Sequence, residues 1–236
     1  MANQEVEWFN TDDAGLFKEL MSIPAKRKLL EENGWDKNQF TYKFNSHGFR
    51  ADEFSNRDSI VFLGDSYVFG TGVPNDVTWT HLVSQELGLS NFNLGISGGS
   101  NDTSFRLANH YVPILKPKYV VLLTTFNNRL DIITTEHVRT LMHSTWNLPN
   151  RYKEFYKDWI ISEENGELNL QKNQRAINHL CQDNHTILIE AKNQDYWKMP
   201  EQPFGNIARD LIHAGPIAHQ AIADDILAKI RKYTSV

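Results

Sequence analysis

Ser66, inside Gly64-Asp65-Ser66, and the late pair Asp210 and His213 are the residues whose types and spacing can do chemistry. A serine hydroxyl is a weak nucleophile until a neighbouring base takes its proton. An imidazole serves best when a carboxylate fixes its tautomer and supports its charged form. Asp210-Leu211-Ile212-His213 places carboxylate and imidazole three residues apart, a separation that one loop or one helical turn can hold together. Alone, a D-x-x-H pair arises by chance in about one chain in four of this size, and Gly-Asp-Ser in about one in twenty. Their weight comes from where they stand relative to the elements around them.

Those elements alternate. Ser59-Ile60-Val61-Phe62-Leu63 has the β-branched content of a buried strand, and Val77 to Leu87 after it has helical spacing and stops at Gly88. Asn91 to Leu94 is expected as a second strand, then a helix from about Thr103 to Leu115 that ends before Pro117. Tyr119 to Thr124 is continuously apolar, as in a strand covered on both faces. A polar and aromatic stretch from Asp131 to Leu170 follows, then a helix around Gln174 to Cys181, a strand at Thr186 to Glu190, and a helix over about Ile217 to Tyr233. Strand, helix, strand, helix predicts an α/β fold, a three-layer α/β/α sandwich with a central parallel sheet and right-handed crossovers. In such sheets the ligand lies beyond the carboxyl ends of the strands, which is where Gly64 to Ser66, Gly95 to Ser100 and Thr125 to Asn128 fall. Ahead of this, Leu16 to Leu30 is helical in pattern but interrupted by Pro24, and Phe40 to Phe44 alternates like a short strand. Residues 1–45 are therefore expected as an N-terminal appendage to a domain spanning 46–236.

At these positions the sequence resembles the SGNH/GDSL hydrolase superfamily, over about Ser59 to the C-terminus. Gly64-Asp65-Ser66 is similar to its nucleophile block and Asn93-Leu94-Gly95-Ile96-Ser97-Gly98 to its second block. Thr125-Phe126-Asn127-Asn128 stands where the third block reads Gly-x-Asn-Asp, and Asp210 to His213, continued by Ala214-Gly215-Pro216, is similar to the fourth. The resemblance implies a flavodoxin-like SGNH hydrolase fold. It also implies Ser66 as nucleophile, His213 as general base, Asp210 as its orienting acid, and an oxyanion hole built from the N–H groups of Ser66 and Gly98 and the amide of Asn127. Two departures stand out: Tyr67 replaces the usual leucine after the serine, and Thr125 and Asn128 replace the glycine and aspartate of the third block. The implied function is a serine esterase cleaving short acyl or carbohydrate O-acyl esters through an acyl-serine intermediate, with no metal or organic cofactor. An O-acyltransferase using the same triad and a non-catalytic carbohydrate-binding module are the alternatives.

Other readings of the same residues compete. Gly95-Ile96-Ser97-Gly98-Gly99 fits the G-x-S-x-G elbow, with Ser97 as nucleophile, but only one convincing strand precedes it and its acid and base normally lie far apart in sequence. Ser66 or Asp65 can cap a helix, and Gly98 and Gly99 can serve turn geometry alone. His219 lacks partners at metal spacing and is expected in packing or in support of the site. Gly70-Thr71-Gly72 lacks the third glycine of a dinucleotide fingerprint and the lysine of a P-loop. Trp146, Tyr152, Phe155, Tyr156 and Trp159 have near-helical spacing, more typical of core than of a sugar platform.

Composition narrows the partners. The 236 residues are 40% hydrophobic, enough for one sizeable core, and the formal charge of −5 leaves no basic excess for nucleic acid or an anionic membrane. The single cysteine, Cys181, excludes an internal disulfide framework and a multi-cysteine metal site, and is expected as a buried thiol. No apolar run approaches the roughly 18 residues of a membrane span. The polar Met1 to Asn10 predicts a cytoplasmic or otherwise soluble chain without a Sec signal peptide, release by another route leaving no such mark.

Overall fold

The computed structural model describes residues 1–142, 150–197 and 206–234. Strand β1 (Glu5–Val6) leads into helices α1 (Ala14–Ser22) and α2 (Pro24–Glu32), and strand β2 (Tyr42–Lys43) returns antiparallel to β1. Asp13 caps α1 by accepting from the N–H groups of Gly15 and Leu16. Pro24 opens α2, where its missing N–H removes nothing, so the interrupted apolar pattern resolves into two helices.

The main body then runs β3 (Ser59–Leu63), the single turn α3 (Ser66–Phe69), a 3-10 turn at Asn75–Val77, α4 (Trp79–Leu87), β4 (Ser90–Asn93), α5 (Asn101–Leu115) and β5 (Tyr119–Thr124). It continues through a hairpin of β6 (Leu130–Ile133) and β7 (Val138–Leu141), α6 (Asn150–Ile161), α7 (Glu163–Asp183), β8 (Ile187–Lys192), α8 (Asn193–Trp197) and α9 (Pro216–Thr234). Strands β4, β3, β5 and β8 lie side by side in that order, every pair parallel. Strand period sends Ile60, Phe62, Val121, Leu123 and Ile189 to one face, against Trp79 and Val83 of α4 and Ile222, Ile226 and Ile230 of α9. Val61, Leu63, Val120 and Leu122 go to the other, against Ala108 and Val112 of α5 and Ile177 and Cys181 of α7. Burial on both faces is why β5 reads as an unbroken apolar run. The protein is thus an α/β/α sandwich with the flavodoxin-like strand order. The chain leaves β3 toward β4 on one side and returns as β5 on the other, so the carboxyl ends of β3 and β5 flank the switch point where such sheets hold ligands.

Two stretches differ from expectation. Residues 1–45, expected as an appendage, share one apolar cluster with the main body: Leu30, Trp35, Phe40, Tyr42 and Phe44 pack with Phe69, Val73 and Ala208. Helix α7 begins at Glu163, eleven residues before the expected start. Asn165, Gly166, Asn169 and Asn173 obscure it in sequence, being poor helix formers. Tertiary contacts explain them: Asn169 and Asn173 both donate to Asp102 Oδ1, and a Cβ at Gly166 would stand 2.5 Å from the Asn127 carbonyl oxygen. Of the aromatic stretch, Tyr156 is buried and Phe155 exposed, while Trp146 lies outside the described residues.

Candidate active site

Ser66 is the first residue of α3, directly beyond the end of β3. The turn that presents it requires glycine at 64, where a Cβ would meet Val68 Cγ2 at 2.5 Å and the Leu123 carbonyl at 2.7 Å. Asp65 caps α3 through the Tyr67 N–H and is buried. Its carboxylate also accepts from Thr125 Oγ1 (2.6 Å), Arg129 Nη1 (2.9 Å) and Asn193 Nδ2 (3.2 Å), tying the ends of β3, β5 and β8 together. With its lone pairs so occupied, Asp65 is a structural anchor of the site.

The loop before α9 completes the constellation. His213 Nε2 lies 2.8 Å from Ser66 Oγ, and His213 Nδ1 lies 2.6 Å from Asp210 Oδ2. Asp210 is buried, and its other oxygen accepts the backbone N–H groups of Ile212 and His213, both at 3.0 Å, in a turn that puts Leu211 at φ +55°. Burial pushes the Asp210 carboxyl up, but the hydrogen bond and charge of His213 and the two backbone N–H groups outweigh it and leave the pKa below the ordinary value. The Tyr67 ring stands edge-on to the His213 imidazole at 5.8 Å. Burial, then the charges of Asp65 and Asp210, push its phenol up to about 12, so it stays neutral beside the imidazole.

The second block forms a loop locked onto α3. Asn93 Nδ2 donates to the Val68 carbonyl at 2.8 Å while its Oδ1 accepts from the Gly95 N–H, and the Ile96 N–H returns to the Gly64 carbonyl at 3.0 Å. Gly98 takes a left-handed conformation at φ +78°, with Met142 Cε 3.1 Å from where a Cβ would sit. Neither the Ser66 N–H nor the Gly98 N–H has an acceptor among the described residues. Beyond β5, the Thr125 N–H and carbonyl are both held by the Asn101 amide. Asn127 is half-buried, and its amide has no hydrogen-bond partner among the described residues. The Asn128 carbonyl accepts from Tyr156 Oη at 2.7 Å.

The structure therefore brings Ser66, Asp210 and His213 together in one hydrogen-bonded line. Ser97 stands apart from that line, its hydroxyl facing Thr71 Oγ1 at 3.4 Å. His219 is fully buried and accepts the Trp79 N–H on Nδ1. Burial, then the charges of Arg50 and His213, push it down to about 3, so it is neutral. Among the described residues no group of three or more His, Cys, Asp or Glu is placed to hold a metal ion. Cys181 is buried and burial pushes its thiol up to about 12, which removes it as a nucleophile. Sequence reasoning missed the partners of Asp65. Asn193 stands directly after β8, so extending the search of strand ends to the fourth strand finds it, while Arg129 carries no local signal.

The chain matches no protein-family model and no curated protein. Among solved structures it is similar to the psychrotrophic esterase EstA from Pseudoalteromonas sp., at 13% identity and a TM-score of 0.44 over 76% of this chain and all of that one. It is similar to TesA at 12% identity and a TM-score of 0.42, over 74% of this chain and 99% of the other. A catalytic mutant of Axe2, an acetylxylan esterase from Geobacillus stearothermophilus, gives 13% identity and a TM-score of 0.38 over 73% and 94% of the two chains.

Proposed function

We propose that the protein is a carboxylic-ester hydrolase of the SGNH/GDSL type that works through an acyl-Ser66 intermediate. The observation that supports this reading is the line from Ser66 Oγ to His213 Nε2 at 2.8 Å and from His213 Nδ1 to Asp210 Oδ2 at 2.6 Å, assembled from residues 147 positions apart. Each part has a role. As Ser66 Oγ attacks the ester carbonyl, His213 Nε2 takes its proton, and the ionised Asp210 keeps Nδ1–H pointed at itself and supports the imidazolium. The carbonyl oxygen becomes an oxyanion. The Ser66 and Gly98 N–H groups and the Asn127 amide, all without acceptors among the described residues, are the donors that meet it. Collapse breaks the bond to the leaving alkoxide, which takes the proton back from His213. Water, deprotonated by the same imidazole, then releases the acid and restores Ser66.

The substrate is a small-molecule ester, with short acyl esters and O-acyl groups on carbohydrate as the classes to try first. Transfer of the acyl group to an alcohol would use the same residues, and product analysis with and without an acceptor alcohol separates the two outcomes. The test of the reading is turnover of p-nitrophenyl acetate by Ser66→Ala and Ser97→Ala beside the parent. The first is expected to lose turnover and the second to keep most of it, whereas the reverse would transfer the nucleophile to Ser97.

A further inference from the structure

The N-terminal segment grips the loop bearing the acid and base at two successive residues. Thr11 Oγ1 donates to Asp210 Oδ2 at 2.8 Å, the same oxygen that meets His213 Nδ1. One residue on, the buried Asp12 carboxylate takes the buried Arg209 guanidinium at 2.7 and 2.9 Å. That guanidinium lies between the rings of Trp8 and Phe40, 3.9 Å from each centroid, and donates to the Glu7 carbonyl. The Asp12 carboxylate also accepts from Tyr42 Oη, which in turn accepts the Gly72 N–H, and the Gly72 carbonyl accepts the Arg209 N–H. A closed set of buried contacts thus fixes the backbone on both sides of the Thr11 to Asp210 bond.

We infer, resting on the hydrolase reading above, that Thr11 is a positioning residue of the triad, acting through Asp210. The Asp210 carboxylate has its Oδ1 held by two backbone N–H groups, whereas Oδ2 is held by His213 and the Thr11 hydroxyl. The hydroxyl sets where Oδ2 points and draws off part of its negative charge. Without it the carboxylate presents more charge to Nδ1–H and stabilises the imidazolium, so the base remains protonated to higher pH. A looser carboxylate also orients the imidazole less well, which lowers kcat and leaves KM alone, since Thr11 bonds the acid and not the substrate. Among the described residues, the other charged or titratable groups around the pair are Tyr67 and Asp65 at α3, His219 on α9, Arg50, and the Asp12 to Arg209 ion pair, and a neutral substitution at position 11 adds no charge to this set.

Thr11→Val keeps the shape and removes the donor, and Thr11→Ser restores the donor. The pH at which kcat/KM reaches half its plateau is expected to rise by about half a unit in Thr11→Val, with kcat down about threefold to tenfold and KM unchanged. Thr11→Ser is expected to return both to the parent values. Should Thr11→Val not fold, Thr11→Ala, which is smaller than threonine and adds no clash, carries the same comparison. The His213 imidazole titration followed by NMR reads the contact without any substrate. If Ser66→Ala retained activity, the hydrolase reading would fall while this measurement still judged the Thr11 bond. A His213 titration midpoint in Thr11→Val or Thr11→Ala equal to the parent's overturns the inference, as does a pH profile that Thr11→Ser fails to restore.

Discussion

Arg129 Nη1 stands 2.9 Å from Asp65 Oδ2 and 3.0 Å from the Gly99 carbonyl, so one guanidinium joins the residue before Ser66 to the residue after Gly98. Ser66 and Gly98, the proposed nucleophile and oxyanion donor, come from two different loops, and this cation, 15% exposed, ties those loops together. Arg129→Met leaves a buried carboxylate short of its charged partner. The expected result is a loss of about 2 to 4 kcal/mol in urea unfolding, with kcat lowered more than KM is raised in what remains folded. Parent-like stability would show that Thr125 and Asn193 suffice for Asp65.

The loop after β5 separates two asparagines. The Asn127 amide has no partner among the described residues, whereas Asn128 is anchored through its carbonyl by Tyr156. A donor aimed at an oxygen that becomes charged only in the transition state is worth about 10² to 10³ in kcat. Asn127→Ala is expected to lower kcat by about that factor with little change in KM, and Asn128→Ala to do much less. Equal and small effects, measured side by side on one ester, would remove this loop from the oxyanion hole.

Acid lability follows from His219. In the unfolded chain an imidazole takes a proton below about 6.5, while the buried ring resists down to about 3. Between those values the unfolded state binds more protons, so stability rises with pH and falls as the solution is acidified, by up to about 1.4 kcal/mol per pH unit. The depressed Asp210 carboxyl works in the same direction, losing its contribution as pH falls through its folded pKa, but it is common to parent and variant and cancels in their difference. His219→Asn offers an acceptor for the Trp79 N–H without the titration. Its stability deficit against the parent, from urea midpoints, is expected to shrink between pH 6.5 and 4. A deficit constant over that range contradicts the assignment.

What the sequence makes legible follows from where the physical cause of each feature lies. β3 and β5 show themselves because burial on both faces demands continuous apolar runs, and the end of α4 because Gly88 supplies the left-handed residue that closes it at φ +64°. Ser66, Asp210 and His213 are legible as candidates because short motifs carry them, Ser66 just past the end of β3 and Asp210 to His213 in the loop before α9. The first half of α7 is hidden because its reasons for being helical are Asp102 and the Asn127 backbone, far away in the chain. Thr11 is hidden more deeply, 199 positions from the carboxylate it bonds, in a segment with no motif of its own.

The central claim, that Ser66 is activated by His213, is tested most directly by reaction with a fluorophosphonate followed by peptide mass mapping, since the probe bonds a serine only where its hydroxyl is already activated. The account predicts one adduct, on the peptide carrying Ser66, absent after His213→Ala. No adduct on the folded parent protein, or an adduct on Ser97, would contradict it.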